Sequence, residues 1–259
     1  MMEMGFSLQS LGCGDAFASL GEFQSAHLLR FKRVNILLDC GATILNSLYT
    51  YKVDPNYIDV IVVSHFHGDH IGGFPFLLLK SVYQLNRVKK LKIIGPIGLK
   101  NRLESLIEAM YSGNGEKMLS QDYVEIIELE VGRKIDLEGV RLNYFEANHG
   151  NSREACGVFL TYGENSFVYS GDTSMTNQLM DNLKNAQVAL LECSTEKELK
   201  GHLNRQDIDS ISKESKVESI LICHQSESLR FDDEKILGIN KKIAKGLVTP
   251  PVKYNKAPN

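Results

Sequence analysis

Ser64-His-Phe-His-Gly-Asp-His70 packs three histidines and an aspartate into seven residues of a chain that has seven histidines in all. The stretch in front of it, Ile58-Asp-Val-Ile-Val-Val63, is short, β-branched and almost continuously apolar, the pattern of a strand buried on both faces. Behind it, Gly72-Gly73 opens an apolar segment, Phe74 to Leu85, that reads as a helix. The cluster therefore sits at the carboxyl end of a buried strand, just before a helix. Open α/β sheets collect their ligands there.

The same punctuation recurs along the chain. Val34–Leu38 ends in Asp39-Cys-Gly41, and Val140–Phe145 runs on to Asn148-His149-Gly150. Ser166–Tyr169 ends in Ser170-Gly-Asp172-Thr, Val188–Leu191 in Glu192-Cys-Ser-Thr, and Ile220–Ile222 in Cys223-His224. Six strands thus deliver Asp39, the His65–His70 cluster, His149, Asp172, Glu192 and His224 to what reads as one edge of a sheet. Helical patterns lie between them: Leu99, Leu103, Leu106, Ile107 and Met110 share one face. Ser112 to Gln121 reads as a flexible loop, and the tail from about Pro250 as poorly ordered. No internal repeat or Pro/Ser-rich linker divides the sequence, so residues 1–259 read as one domain.

Bulk properties remove several classes. The net charge of −3 leaves no basic footprint, which disfavours a long nucleic acid as the main partner. Five cysteines, odd in number and without a CxxC pair, fit reduced thiols in a cytoplasmic protein better than a disulfide framework. The first ten residues carry neither a basic stretch nor an apolar core of the signal-peptide kind, and no apolar run approaches a membrane span. No membrane partner is expected.

The chemistry of the cluster follows from geometry. Residues two apart in an extended segment point the same way, so His65 and His67 can hold one metal between them. Gly68 permits a sharp turn, after which Asp69 and His70 can aim at a second. Nitrogen ligands with a minority of carboxylates suit zinc, with manganese or iron as alternatives.

The order of these residues resembles the metallo-β-lactamase superfamily. The likeness rests on His-x-His-x-Asp-His after a buried strand, then on strand-terminal His149, Gly171-Asp172 and His224. It extends to Leu11-Gly-Cys-Gly-Asp-Ala16 and Leu37-Leu-Asp-Cys-Gly41, with Ser64 where the superfamily usually has threonine. The resemblance implies an α/β fold, a four-layer αββα sandwich with mixed sheets, holding two divalent metal ions. By it, His65, His67 and His149 bind the first ion; Asp69, His70 and His224 bind the second; Asp172 bridges them. Asp39 and Glu192 stand behind the ligands, Asp39 bracing the ligand loop by hydrogen bonds.

Within the superfamily the residues narrow the choice. The di-iron branch carries glutamate where this chain has His67, the β-lactamases lack the bridging aspartate, and glyoxalase II-type thioesterases carry Gly-His-Thr where this chain reads Ala147-Asn-His-Gly150. What remains is similar to the ribonuclease Z and phosphodiesterase branch, through the Gly-Asp-Thr turn, the Glu192 strand and Gly201-His202-Leu. That likeness makes His202, with Asp69, catalytic, and His202 the group that touches the scissile phosphate or protonates the leaving group. It gives Ser226, with Arg230, a loose match to a phosphate-contacting end. His27, mid-strand, reads as structural.

Two divalent cations, offset by Asp69, Asp172 and one bridging hydroxide, leave a net single positive charge, suited to an anionic diester and its transition state. Ribonuclease Z proper carries a long tRNA-clamping arm between the third-motif histidine and the bridging aspartate. Here Asp172 follows His149 by only 23 positions. The expected function is therefore hydrolysis of a small or terminal phosphodiester, a cyclic nucleotide, cyclic phosphate or RNA end, by metal-bound hydroxide. Alternatives are another ester at the same site (arylsulfatase, lactonase), tRNA 3′-processing, and, last, a non-enzymatic binding module. The apolar bulk after Gly73 also suggests a homodimer.

Overall fold

Each half of the chain folds its buried strands into one six-stranded sheet. The computed structural model describes residues 5–227 and 229. The first half runs β1 (Phe6–Gly12), β2 (Ala26–Phe31), β3 (Asn35–Leu38), α1 (Ile44–Thr50), β4 (Val60–Val62), α2 (Gly68–Ile71), α3 (Phe74–Tyr83), β5 (Leu91–Gly95), α4 (Leu99–Met110), α5 (Gly115–Leu119) and β6 (Val124–Glu128). The second runs β7 (Lys134–Leu137), β8 (Val140–Glu146), β9 (Cys156–Tyr162), β10 (Asn165–Tyr169), α6 (Asn177–Leu183), β11 (Val188–Glu192), α7 (Arg205–Glu214) and β12 (Ser219–Cys223). In each sheet the strands lie in chain order. Antiparallel pairs come first, and parallel pairs follow from β3 onward and from β10 onward.

The period-two alternation of a strand explains why the central runs are apolar throughout. In β4, Val60 and Val62 face the other sheet, while Ile61 and its successor Val63 face the helices. In β11, Val188 and Leu190 face inward, and Ala189 and Leu191 pack outward under α6 and α7. Three apolar layers result: one between the sheets, one beneath α1, α3 and α4, one beneath α6 and α7. This is the four-layer αββα sandwich with mixed sheets. Among the described residues no helix is long and apolar enough to cross a membrane.

Four expectations need correction. The ligand-bearing strand ends do not line one sheet; Asp39 and the His65–His70 loop leave the first sheet, and His149, Asp172, Glu192 and His224 leave the second. The seam between two sheets lets ligands approach from opposite sides, which one edge does not. Gly68 makes no special turn: it has an ordinary φ and begins α2, and a Cβ there would meet nothing within 4 Å. The apolar helix begins at Phe74 and ends at Tyr83, two residues short of Leu85. Its Phe74, Pro75, Leu77 and Leu78 are buried inside the chain's own outer core. Finally, the segment 112–121 is not a loop throughout but contains α5, which buries Met118 and Leu119. The Glu108 carboxylate anchors it, accepting from Gly113 N at 2.7 Å and Gly115 N at 3.2 Å. Two glycines in five residues conceal so short a helix from any periodicity test. Arg230 and the tail from about Pro250 lie outside the described residues.

The sheets are tied together next to the ligand loop. Tyr144 of β8 is fully buried, and its hydroxyl donates to Val63 O at 2.8 Å, one residue before the loop. Replacing Tyr144 by Phe keeps the ring but leaves a buried carbonyl without its donor. Loss of such a bond costs about 1–3 kcal/mol. Denaturant unfolding of Tyr144→Phe should show a loss of that size; an unchanged midpoint would remove this tie from the account of the seam.

Candidate metal centre

The ligand loop leaves β4 extended, and His67, with φ −70° and ψ 154°, is still extended at the start of α2. His65 and His67 therefore point to one side, their rings 4.7 Å apart, and meet the His149 ring arriving from β8. The chain then turns into α2, which swings Asp69 and His70 toward Asp172 and His224. Two donor groups result, His65/His67/His149 and Asp69/His70/Asp172/His224, each with its ligand atoms within 4.8 Å of one another. His224 Nε2 lies 3.0 Å from Asp69 Oδ2 and 3.3 Å from Asp172 Oδ2; His70 Nε2 lies 3.2 Å from Asp69 Oδ2 and 3.4 Å from Asp172 Oδ1. Asp172 also faces the first group, 4.0 Å from His65 Nε2 and 3.8 Å from His149 Nε2. Donor atoms on a tetrahedron with zinc–ligand bonds of 2.0–2.1 Å stand about 3.4 Å apart.

Each histidine has its other nitrogen already occupied. Ser64 Oγ pairs with His65 Nδ1 at 3.1 Å, Ser152 Oγ with His67 Nε2 at 3.2 Å, and Asp39 Oδ2 with His70 Nδ1 at 2.7 Å. Gly201 O accepts from His149 Nδ1 at 2.8 Å, and Ser194 Oγ pairs with His224 Nδ1 at 2.9 Å. These bonds orient four rings with Nε2 toward the centre and His67 with Nδ1 toward it, the arrangement that metal-binding imidazoles need. His65 Nε2 and His70 Nε2 are buried with no hydrogen-bond partner. Buried polar atoms left open in this way, in a mixed nitrogen and carboxylate set, fit a divalent cation.

Asp39 holds the loop. Its φ of +59° is unusual for a residue with a Cβ. Oδ1 accepts from Ser64 N at 2.7 Å; Oδ2 accepts from Ser64 Oγ at 2.8 Å, His70 Nδ1 at 2.7 Å and Tyr169 Oη at 2.6 Å. On the other side, Glu192 accepts from Thr173 N at 2.9 Å, Ser194 Oγ at 2.5 Å and His202 Nδ1 at 3.0 Å. His202 stands between the ligand rings of His149 and His224, 4.8 and 5.7 Å away centre to centre. Gly201 must be glycine: its φ is +92°, and a Cβ would come within 2.7 Å of Gly150 N.

Burial and charge pull the histidines apart electrically. Burial drives His65 well below its ordinary pKa and takes His27 down to about 3. Burial works the same way on His224, but the charge of Asp172 and the hydrogen bond it donates to Asp69 outweigh it, and His224 rises to about 9. His70 likewise rises well above its usual value against burial, through Asp172 and Asp39. His202 is raised too, burial being overcome by Glu192.

All seven residues expected as ligands converge, with Asp39 and Glu192 behind them. His202 lies beside them with its Nδ1 already on Glu192, although distance alone would also group it with His149 and Asp172 or with Glu192 and His224. Ser226 is half-buried two residues past His224, its carbonyl accepting from Leu229 N at 3.2 Å. His27 is fully buried in β2 with Nδ1 on Ser10 Oγ at 2.6 Å; its Nε2 is also unpartnered, but among the described residues it joins no group of metal-ligating side chains. Sequence reading missed Tyr169, Ser152 and Ser194. Tyr169 passes in sequence for a core aromatic at the end of a strand, and the two serines for ordinary loop residues.

The sequence from residue 6 to residue 243 matches the family model described as Anti-Pycsar protein Apyc1. The chain is 27% identical over 266 residues to ribonuclease Z of Ignicoccus hospitalis, covering 83% of this chain and 86% of that one. Its structure is similar to the metallo-β-lactamase fold protein YhfI of Bacillus subtilis, with a TM-score of 0.72 at 21% identity over 94% and 93% of the two chains. It is also similar to the short form of human tRNase Z, with a TM-score of 0.69 at 19% identity over 86% and 93%.

Two outcomes follow from this geometry. Asp39→Ala leaves every ligand in place but unbraced and should weaken metal retention by roughly 10–100-fold, as loss of an outer partner does. Tyr169→Phe should act in the same direction and less. Metal content after graded chelation measures both, and retention equal to wild type in Asp39→Ala would contradict the bracing role.

The second outcome concerns pH. His224 binds its proton more tightly folded (about 9) than unfolded (about 6.5), so its stabilisation is complete below pH 6.5 and is lost as pH rises toward 9. His27, at about 3, acts oppositely: its contribution is complete above pH 6.5 and is lost as pH falls toward 3. Chelator-treated protein should melt highest near pH 6.5 and lose stability toward pH 9. Added zinc should abolish the alkaline loss, because the cation replaces the protons. A melting temperature in chelator that stays flat from pH 6.5 to 9 would refute this.

Proposed function

The chain belongs to the family described as Anti-Pycsar protein Apyc1, in the ribonuclease Z-like branch of the metallo-β-lactamase superfamily, and from that membership we propose that it is a hydrolase of small phosphodiesters with a dinuclear zinc site. The substrates are a cyclic nucleotide, a cyclic phosphate or an RNA end. The observation that carries this reading is the histidine outside the two donor groups, His202, whose Nδ1 is fixed on a buried carboxylate beside the ligand rings.

His65, His67 and His149 would hold one cation, Asp69, His70 and His224 the other, and Asp172 would face both. The cations, when bound, supply Lewis acidity and a lowered pKa for water. The remaining work falls to the chain. Glu192 orients His202 and, against burial, raises its pKa, which favours the protonated imidazole. With Nδ1 committed to Glu192, the proton available to a leaving oxygen is the one on Nε2. Ser226 serves as a contact to the phosphate.

Substrate size has independent support. The interval between His149 and Asp172 is taken up by β9, β10 and the short turn joining them, which leaves no length for an arm that would clamp a tRNA. The ribonuclease Z and tRNase Z relatives nevertheless favour tRNA 3′-processing as the second reading. A homodimer formed through the α3 side belongs to the same proposal.

His202→Ala tests the assignment. The variant should keep both metals and lower kcat by roughly 10²–10⁴ on a diester with a poor leaving group. A nitrophenyl diester, whose leaving group needs no proton, should lose much less. Equal losses on both substrates, or a missing metal, would make His202 a ligand. No loss on either would remove it from the chemistry.

A further inference from the structure

We propose that the cavity between the ligand loop and α4 is a subsite for the base of a nucleotide diester, an inference that rests on the phosphodiesterase reading above. The cavity holds about 370 Å³ and is lined by Phe66, Ile97, Asn101, Arg102, Ser105 and Glu154. Its size is at the lower end of small-ligand sites, enough for a planar ring system.

Both walls continue from metal ligands. Phe66 lies between His65 and His67. Side chains of an extended segment alternate, so its ring points away from the donor nitrogens and toward the start of α4, where a Cβ on Gly98 would stand 3.7 Å from it. The opposite wall carries Glu154, two residues after Ser152, whose hydroxyl touches His67. Phe66, next to His67 in the chain, and Ser152, against its ring, thus set the walls of this cavity beside the exposed ligand of the cluster.

The lining selects the ligand. Arg102 is exposed and lies over the Phe66 ring, 5.7 Å from its centroid, and no carboxylate among the described residues pairs with it. The guanidinium supplies a flat cationic face of the kind on which bases stack, backed by an aromatic ring. Asn101 and Ser105, one on each side of Arg102 along the helix, can donate and accept, and Glu154 can accept. Ile97, 57% exposed, adds apolar contact. A second phosphate would be opposed by the Glu154 carboxylate. A heteroaromatic base, with a face to stack and an edge to hydrogen-bond, meets no such opposition. The site thus complements the part of the substrate that the metal ligands do not touch.

The test uses the full-length metal-loaded protein, with adenosine 3′,5′-cyclic monophosphate and, as a base-free diester, methyl p-nitrophenyl phosphate. Arg102→Ala, on the exposed face of α4, should lower kcat/KM for the cyclic nucleotide roughly 5- to 50-fold, mostly through KM, as loss of one stacking partner does. The base-free diester should change less than twofold. Arg102→Lys keeps the charge but not the plane and should show the same selective loss. Full activity in Arg102→Lys would make the residue a phosphate attractor and overturn the base subsite. Equal losses on both substrates, or none on the nucleotide, would overturn it as well, with the phosphodiesterase reading intact. Failure of the wild-type protein to hydrolyse either diester would bring down that reading and the subsite together.

Discussion

The fully buried carboxylate of Asp39 is the interaction on which the rest of this structure depends. A buried charge is tolerated only when its lone pairs are occupied, and here four donors occupy them. Those donors come from Ser64 at the exit of β4, from His70 in α2 and from Tyr169 at the end of β10. One side chain therefore fixes the ligand loop against its own sheet and that sheet against its neighbour. The left-handed backbone at Asp39 is held in place by the same four bonds, a small local cost set against a rigid junction.

From that junction outward the centre is a matter of imidazole geometry. A ring offers two nitrogens, and only the one left free can meet a cation. Ser64, Ser152, Asp39, Gly201 O and Ser194 each occupy one nitrogen of one ring, so the donor set is aimed before any cation arrives. These partners come from loops of both halves of the chain, which explains why the centre forms only when the two sheets close on each other. Without cations, protons on His70 and His224 balance Asp69 and Asp172; with them, the cations take that role. The same electrostatic requirement is thus met in two ways, which couples metal binding to pH.

Ser194 joins two functions that would otherwise be separate. Its hydroxyl meets Glu192, His202 and His224 at once, so the residue that orients a ligand is also part of the network that orients the proposed acid. Such networks act as units, and the effects of removing their members do not add.

By itself the sequence determined the central strands and the candidate donor residues at their ends. Buried strands announce themselves as apolar runs, so Asp39, His65, His67, Asp69, His70, His149, Asp172, Glu192 and His224 stood out by position at the ends of those runs, while their separate roles came from the resemblance to the metallo-β-lactamase superfamily. His202 stood out only through the likeness of Gly201-His202-Leu to the ribonuclease Z branch; the structure adds why position 201 is glycine, through the close approach of Gly150 and His149. Tertiary structure decided what local pattern cannot carry. That the strand ends face each other across two sheets depends on packing between the two halves of the chain, through contacts such as Tyr144 with Val63 and His149 with His67 that span 81 and 82 positions. Tyr169 and Ser152 act through single hydrogen bonds to residues distant in sequence, and a tyrosine in a strand or a serine in a loop looks the same with or without them. The helix at Gly115–Leu119 is too short to show a period and exists because Met118 and Leu119 find an apolar surface to cover. The cavity beside Phe66 belongs to the same class, since its two walls meet only when the loops after β4 and β8 have been drawn to one centre.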